Sequence, residues 1–191
     1  MSRAMETAFG SDKTIPVTPR MALLFNGLSV AAVALATLLP MGAAAYWLFV
    51  DATEVRTMVG LGPELLVDIT MGQRIAAAIV ALLTVLPLAW GFARLRTCLK
   101  SFAEGRPFAL DGIAGLRGFA TGGMLAALAQ LVSPTLMGLV LTWTAAAGHR
   151  QLVVLIDSDM LLLAMFAGTI AAVAWAMEKA AAIAEENSQF I

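Results

Sequence analysis

The chain has 191 residues, 60% hydrophobic and 13% charged, with a mean hydropathy of +0.86. A globular domain carries about 25% charged residues, so a water-facing surface is excluded and a membrane protein is indicated. The net charge of −1 provides no basic field for direct nucleic-acid binding, and a single cysteine (Cys98) and a single histidine (His149) rule out an intrachain disulfide, a thiolate cluster and a zinc site built on histidines.

Residues 1–21 form a polar N-terminal tail with Arg3, Lys13 and Arg20. A first apolar stretch covers about 22–49, enough for a helical span, which needs about 20 apolar residues. Ala43-Ala44-Ala45 resembles a leader cleavage site. The apolar run before it is longer than the about 7–15 residues of a secretory leader, so a retained span is expected. Then come Glu64-Leu65-Leu66-Val67-Asp68-Ile69-Thr70, apolar and rich in branched residues, which predict a short strand.

The second span is predicted over 75–92 and the third over 119–143, joined by a basic segment at 93–118. In that segment Pro107 stops the helix. Asp111 is the expected N-cap of a short interfacial helix carrying Ile113, Leu116, Arg117 and Phe119. Arg94, Arg96 and Lys100 set topology or meet anionic lipid headgroups. A second short strand is expected at Gln151-Leu152-Val153-Val154-Leu155-Ile156-Asp157, a fourth span at 161–177 and a tail at 178–191. The fold class is thus an all-α membrane protein in one domain, residues 22–191. Its four transmembrane helices form two tandem hairpins, and the two short strands pair as a small extracytoplasmic cap.

Cytoplasmic segments of membrane proteins collect Lys and Arg. The two tails and the 93–118 segment hold nine of the 12 Lys and Arg, whereas the other two loops hold Arg56, Arg74 and Arg150 among six acidic residues. Both termini and the middle segment are therefore expected in the cytoplasm.

The two hairpins also end alike. Glu104-Gly105-Arg106-Pro107-Phe108 closes the first and Glu186-Asn187-Ser188-Gln189-Phe190 the second. Gly and Asn suit a left-handed C-cap, after which each Phe is expected to fold back onto its own helix. This describes a parallel duplication, distinct from the inverted repeats of many transporters.

The span interiors carry no acidic or basic residue, which removes the usual marker of transport or proton relay. Gln130 and Ser133 share one face of span three. They suit a bound substrate or, more commonly, a hydrogen bond to a neighbouring helix worth about 0.6–2 kcal/mol. Pro40, Pro87 and Pro134 interrupt three spans, either as hinges or as passive bends. Gly122 and Gly123 permit close helix contact. No catalytic motif, phosphate loop or metal-spaced cluster is present, so neither an enzyme nor a cofactor is expected.

Two cytoplasmic signatures resemble a bacterial four-helix membrane family, domain of unknown function 2975. One is Phe102-Ala103-Glu104-Gly105-Arg106-Pro107-Phe108 followed by Leu116-Arg117-Gly118-Phe119; the other is Glu185-Glu186-Asn187 with Phe190-Ile191. The hydropathy likeness covers about 20–191. The chain departs from the family where Ala109 replaces the usual Ser or Thr after the turn, and where Ser188 and Gln189 replace an acidic and apolar ending. The resemblance implies a multi-pass protein of the bacterial inner membrane with no assigned activity. Many members are encoded beside a small helix-turn-helix regulator of the Xre type, which implies a membrane-anchored regulator or sensor. Its partner-binding residues would be Arg106, Phe108, Asp111, Arg117, Glu185, Glu186, Asn187 and Phe190. The alternative is an accessory subunit of a larger membrane complex, supported by uncharged Ala- and Gly-rich spans and 11 methionines. Membrane lipids, a protein partner and a second copy of the chain are the candidate partners.

Overall fold

A computed structural model describes residues 16–51, 54–55, 69–143 and 158–188. The chain is all-helical there, with α1 (Pro19–Phe49), α2 (Met71–Ala103), α3 (Leu110–Leu141) and α4 (Ser158–Ser188). All four are long and apolar enough to cross a membrane. Leu23, Val30, Leu38, Phe49, Leu162 and Met165 are among many large apolar side chains left exposed. Such a surface suits lipid, which asks only that backbone polar groups be satisfied within the helices.

Each helix packs mainly on its neighbour in sequence: α1 on α2, α3 on α4, and α2 on α3 through the largest interface. The two hairpins are thus joined along α2 and α3, and α1 and α4 flank the row. The helices outrun the predicted spans. Of the segment 93–118, only Glu104–Ala109 lies outside a helix, so the expected interfacial helix is the first part of α3. Pro40, Pro87 and Pro134 all lie inside continuous helices.

Small residues build the α2–α3 interface. Gly112, Gly115, Gly118 and Gly122 recur along α3 at steps of three or four and meet α2. A Cβ at Gly115 would stand 2.7 Å from the Arg94 carbonyl oxygen, and one at Gly118 2.9 Å from Arg94 Cβ. Without hydrophobic drive between helices in lipid, this close approach supplies the dispersion contacts that hold them. Phe92 and Phe119 rings pack beside it at 5.3 Å, and Phe25 meets Phe102 at 5.6 Å between α1 and α2.

The opposite end is tied by the first turn of α2. Thr70 and Gln73 form a capping box. Gln73 Nε2 donates to the Leu141 carbonyl at 3.1 Å, and Arg74 Nη1 donates to the Leu48 and Val50 carbonyls at 3.1 and 2.7 Å. Carbonyls at the C-terminal ends of α1 and α3, which a helix leaves without internal donors, thus find them on one turn of α2. Val50, Val55, Ile69 and Leu141 form a buried cluster beneath this knot.

Several expectations change. The predicted strands 64–70 and 151–157 lie outside the described residues except for Ile69 and Thr70, and no strand occurs among the described residues. Thr70 caps α2 instead of ending a strand, because its hydroxyl accepts the Gln73 N–H. The interhelical hydrogen bonds assigned to Gln130 and Ser133 are absent among the described residues; Gln73 and Arg74 make the corresponding links at the helix ends.

Candidate functional site

The α2–α3 turn brings together three of the eight residues expected to bind a partner, Arg106, Phe108 and Asp111. The helix α2 stops at Gly105, whose φ of 75° is the left-handed conformation that a side chain disfavours. Gly105 N–H donates to the Phe102 carbonyl at 3.1 Å and Arg106 N–H to that of Ser101 at 2.9 Å, completing a Schellman motif. The expected left-handed cap is therefore present in the first hairpin. It is not repeated in the second: α4 continues through Asn187 to Ser188, and no non-glycine residue among those described has a positive φ.

The predicted N-cap also moves. Ala109 occupies the N-cap position of α3 without a side-chain bond, and Asp111 lies in the first turn. There its Oδ1 accepts the Gly112 N–H at 2.9 Å and the Ser101 hydroxyl at 3.5 Å. A carboxylate in this place offsets the positive N-terminal end of the helix dipole. Gly112 permits the approach, since a Cβ there would be 2.9 Å from Ser101 Cβ.

Arg106 pairs with Glu104 across the turn. Together with Asp111, Ser101, Arg96 and Lys100 they line an open cleft of ≈ 330 Å³. Phe108, expected to fold back onto α2, instead remains 51% exposed, and Leu110 beside it is 74% exposed. Pro107 and the short turn direct this apolar pair outward, next to the charged cleft.

Arg117 lies one face away, where its Nη1 is 3.6 Å from Glu178 Oε2 on α4. Sequence reasoning missed Glu178, because its pairing depends on α4 packing against α3. Glu186 is exposed near the end of α4. Glu185 and Asn187 are helical there, and Phe190 lies outside the described residues. The turn residues Arg106, Phe108 and Asp111 thus share one short segment, Arg117 joins α3 to α4, and Glu185, Glu186 and Asn187 belong to the α4 terminus.

The three cations of the 93–103 segment divide between two faces. Arg94 sits on the α3 side against Gly118, with its guanidinium 5.9 Å from the Trp90 ring centre. Arg96 and Lys100 line both the cleft at the turn and the groove between α1 and α2. Cys98 is 1% exposed beneath Gly115. Among the described residues, no group of three His, Cys, Asp or Glu could hold a metal ion.

No protein-family model, curated protein or solved structure matches the chain.

Proposed function

We propose that the chain is a non-enzymatic, multi-pass protein of the bacterial inner membrane that holds a soluble protein partner against its α2–α3 turn. The single observation that carries this reading is the exposed pair Phe108 and Leu110, presented by an ordered turn beside Arg106 and Asp111. An apolar pair rimmed by charge is the usual composition of a docking surface. The concentration of Lys and Arg in the tails and around this turn supports a cytoplasmic location for it. The resemblance to domain of unknown function 2975 supports a small helix-turn-helix regulator as the partner, with Arg117 and the tail from Glu185 to Phe190 at its margin.

Co-purification in mild detergent tests the proposal. The wild-type chain should bring down a soluble DNA-binding protein, and Phe108→Ala with Leu110→Ala should lose it at unchanged membrane yield. A bare monomer or homodimer would overturn the reading. Orientation is tested separately with Phe108→Cys in a Cys98→Ser background. An impermeant maleimide should leave it unlabelled in intact cells and label it after lysis.

A second reading is an accessory subunit of a larger membrane complex. It is supported by the outer helices α1 and α4, each of which has one main packing neighbour and large exposed apolar side chains. Stoichiometric recovery with a large membrane assembly would favour it.

A further inference from the structure

We propose that the groove between α1 and α2 binds the phosphate headgroup of an anionic glycerophospholipid, through Arg96 and Lys100 of α2 with Asn26 and Ser29 of α1. The groove measures ≈ 390 Å³ and lies near the N-terminus of α1 and the C-terminus of α2. Arg96 and Lys100 are one helical turn apart on α2, and both line this groove as well as the cleft at the α2–α3 turn. Neither has an ion pair or hydrogen bond among the described residues. The two carboxylates that line the neighbouring cleft with them are engaged, Glu104 by Arg106 and Asp111 by Ser101 and the Gly112 N–H.

Ser29 supplies the second, independent sign of a ligand. It is 5% exposed and lines the groove, yet its hydroxyl has no partner among the described residues. A buried hydroxyl of this kind is costly unless something accepts its hydrogen bond. Asn26, one turn earlier, adds an amide donor at the mouth. Two cations, an amide and a hydroxyl form a donor set suited to phosphate oxygens.

The rest of the lining selects a lipid over free phosphate. Val30, Val33 and Ala34 continue the groove along α1 toward the centre of the span. An acyl chain lies against such a wall, whereas a small anion leaves it uncovered. Basic pockets between transmembrane helices are a recognised way to hold anionic headgroups.

The test uses the full-length protein in detergent, with thermal unfolding followed during titration with phosphatidylglycerol, phosphatidylcholine or inorganic phosphate. Phosphatidylglycerol should raise Tm in a saturable manner, and the other two should not. Arg96→Gln with Lys100→Gln should weaken the apparent affinity on the order of thirtyfold, equivalent to about 1 kcal/mol for each cation. Ser29→Ala should weaken it severalfold while keeping the basic pair, and it serves if the double variant folds poorly. Lys179→Gln, exposed on α4, should leave the response unchanged. An equal shift with phosphatidylcholine, a matching shift with inorganic phosphate alone, or a response to phosphatidylglycerol that survives both sets of substitutions would overturn the proposal.

Discussion

Gly91 of α2 and Gly122 of α3 meet backbone to backbone. A Cβ on Gly122 would fall 2.8 Å from Gly91 Cα and 2.5 Å from the Pro87 carbonyl oxygen. Neither obstacle is the flexible end of a side chain, so the helices themselves must separate. Gly122→Ala should therefore destabilise the bundle by about 1–3 kcal/mol, the usual range for overpacking. Gly42 provides the control, because a Cβ there meets nothing within 4 Å. Gly42→Ala should be neutral or slightly stabilising, as Ala is the better helix former. Thermal unfolding of both variants in one detergent measures the difference.

The Schellman turn yields a second prediction. Gly105 is the one described residue with a positive φ, at 75°. Gly105→Ala should cost about 1–2 kcal/mol, the penalty of a Cβ in the left-handed region. Gly105→Asn should cost less, since Asn tolerates that region better. If the turn presents Phe108 to a partner, the Ala variant should also weaken co-purification more than it lowers membrane yield.

These two glycines show how unevenly the fold can be read from the chain. The spans were legible because hydropathy is the direct chemical requirement of the bilayer. Gly105 was legible because Gly followed by Pro two residues later is a strong stop signal. Gly112, Gly115 and Gly118 were not recognised as packing residues. They fall in the expected interfacial helix, and a helix read as lying at the membrane surface gives no sign that its glycines pack against α2. The predicted second span began at residue 75, so Gln73 and Arg74 fell outside it although they tie three helices together. At the site, the turn residues were found through the signature around Phe108, but Phe108 being exposed was not. The Arg117–Glu178 pair needs the α3–α4 packing, which no local pattern specifies.

The first turn of α2 should be a point of high sensitivity. Gln73→Leu removes the capping box and leaves the Leu141 carbonyl without its donor. The expected loss is about 1–3 kcal/mol, as for a buried polar group left unsatisfied. Gln73→Glu should keep the reach to Thr70 but lose the N–H donated to Leu141, and should also destabilise. Arg74→Met should independently release the Leu48 and Val50 carbonyls at the end of α1. Unfolding in detergent, with hydrogen exchange of the adjoining helix ends, separates the two effects.

The Arg117–Glu178 contact should behave differently despite joining two helices. Both side chains are largely exposed, and the separation is 3.6 Å. Exposed pairs of this type contribute about 0–1 kcal/mol and are screened by salt. Glu178→Gln should therefore change stability by less than about 1 kcal/mol, and added salt should reduce even that. A larger loss would place the pair in a more enclosed setting than its exposure implies.

Cys98 reports directly on closure between α2 and α3. It is 1% exposed, and Gly115 packs so closely over it that a Cβ there would be 2.9 Å from the Cys98 backbone nitrogen. A maleimide needs the thiol both accessible and ionised, and the folded protein denies access. The wild-type chain in mild detergent should resist labelling and then react fully after denaturation in dodecyl sulfate. Gly115→Ala should raise the native labelling rate, because its Cβ would also fall 2.7 Å from the Arg94 carbonyl and force the helices apart. Gly72→Ala, on the same helix as Cys98 but with nothing within 4 Å of its Cβ, should leave the rate unchanged. Rapid labelling of the wild-type protein, at the rate of the denatured chain, would mean that the glycine ridge does not hold the two helices together in solution.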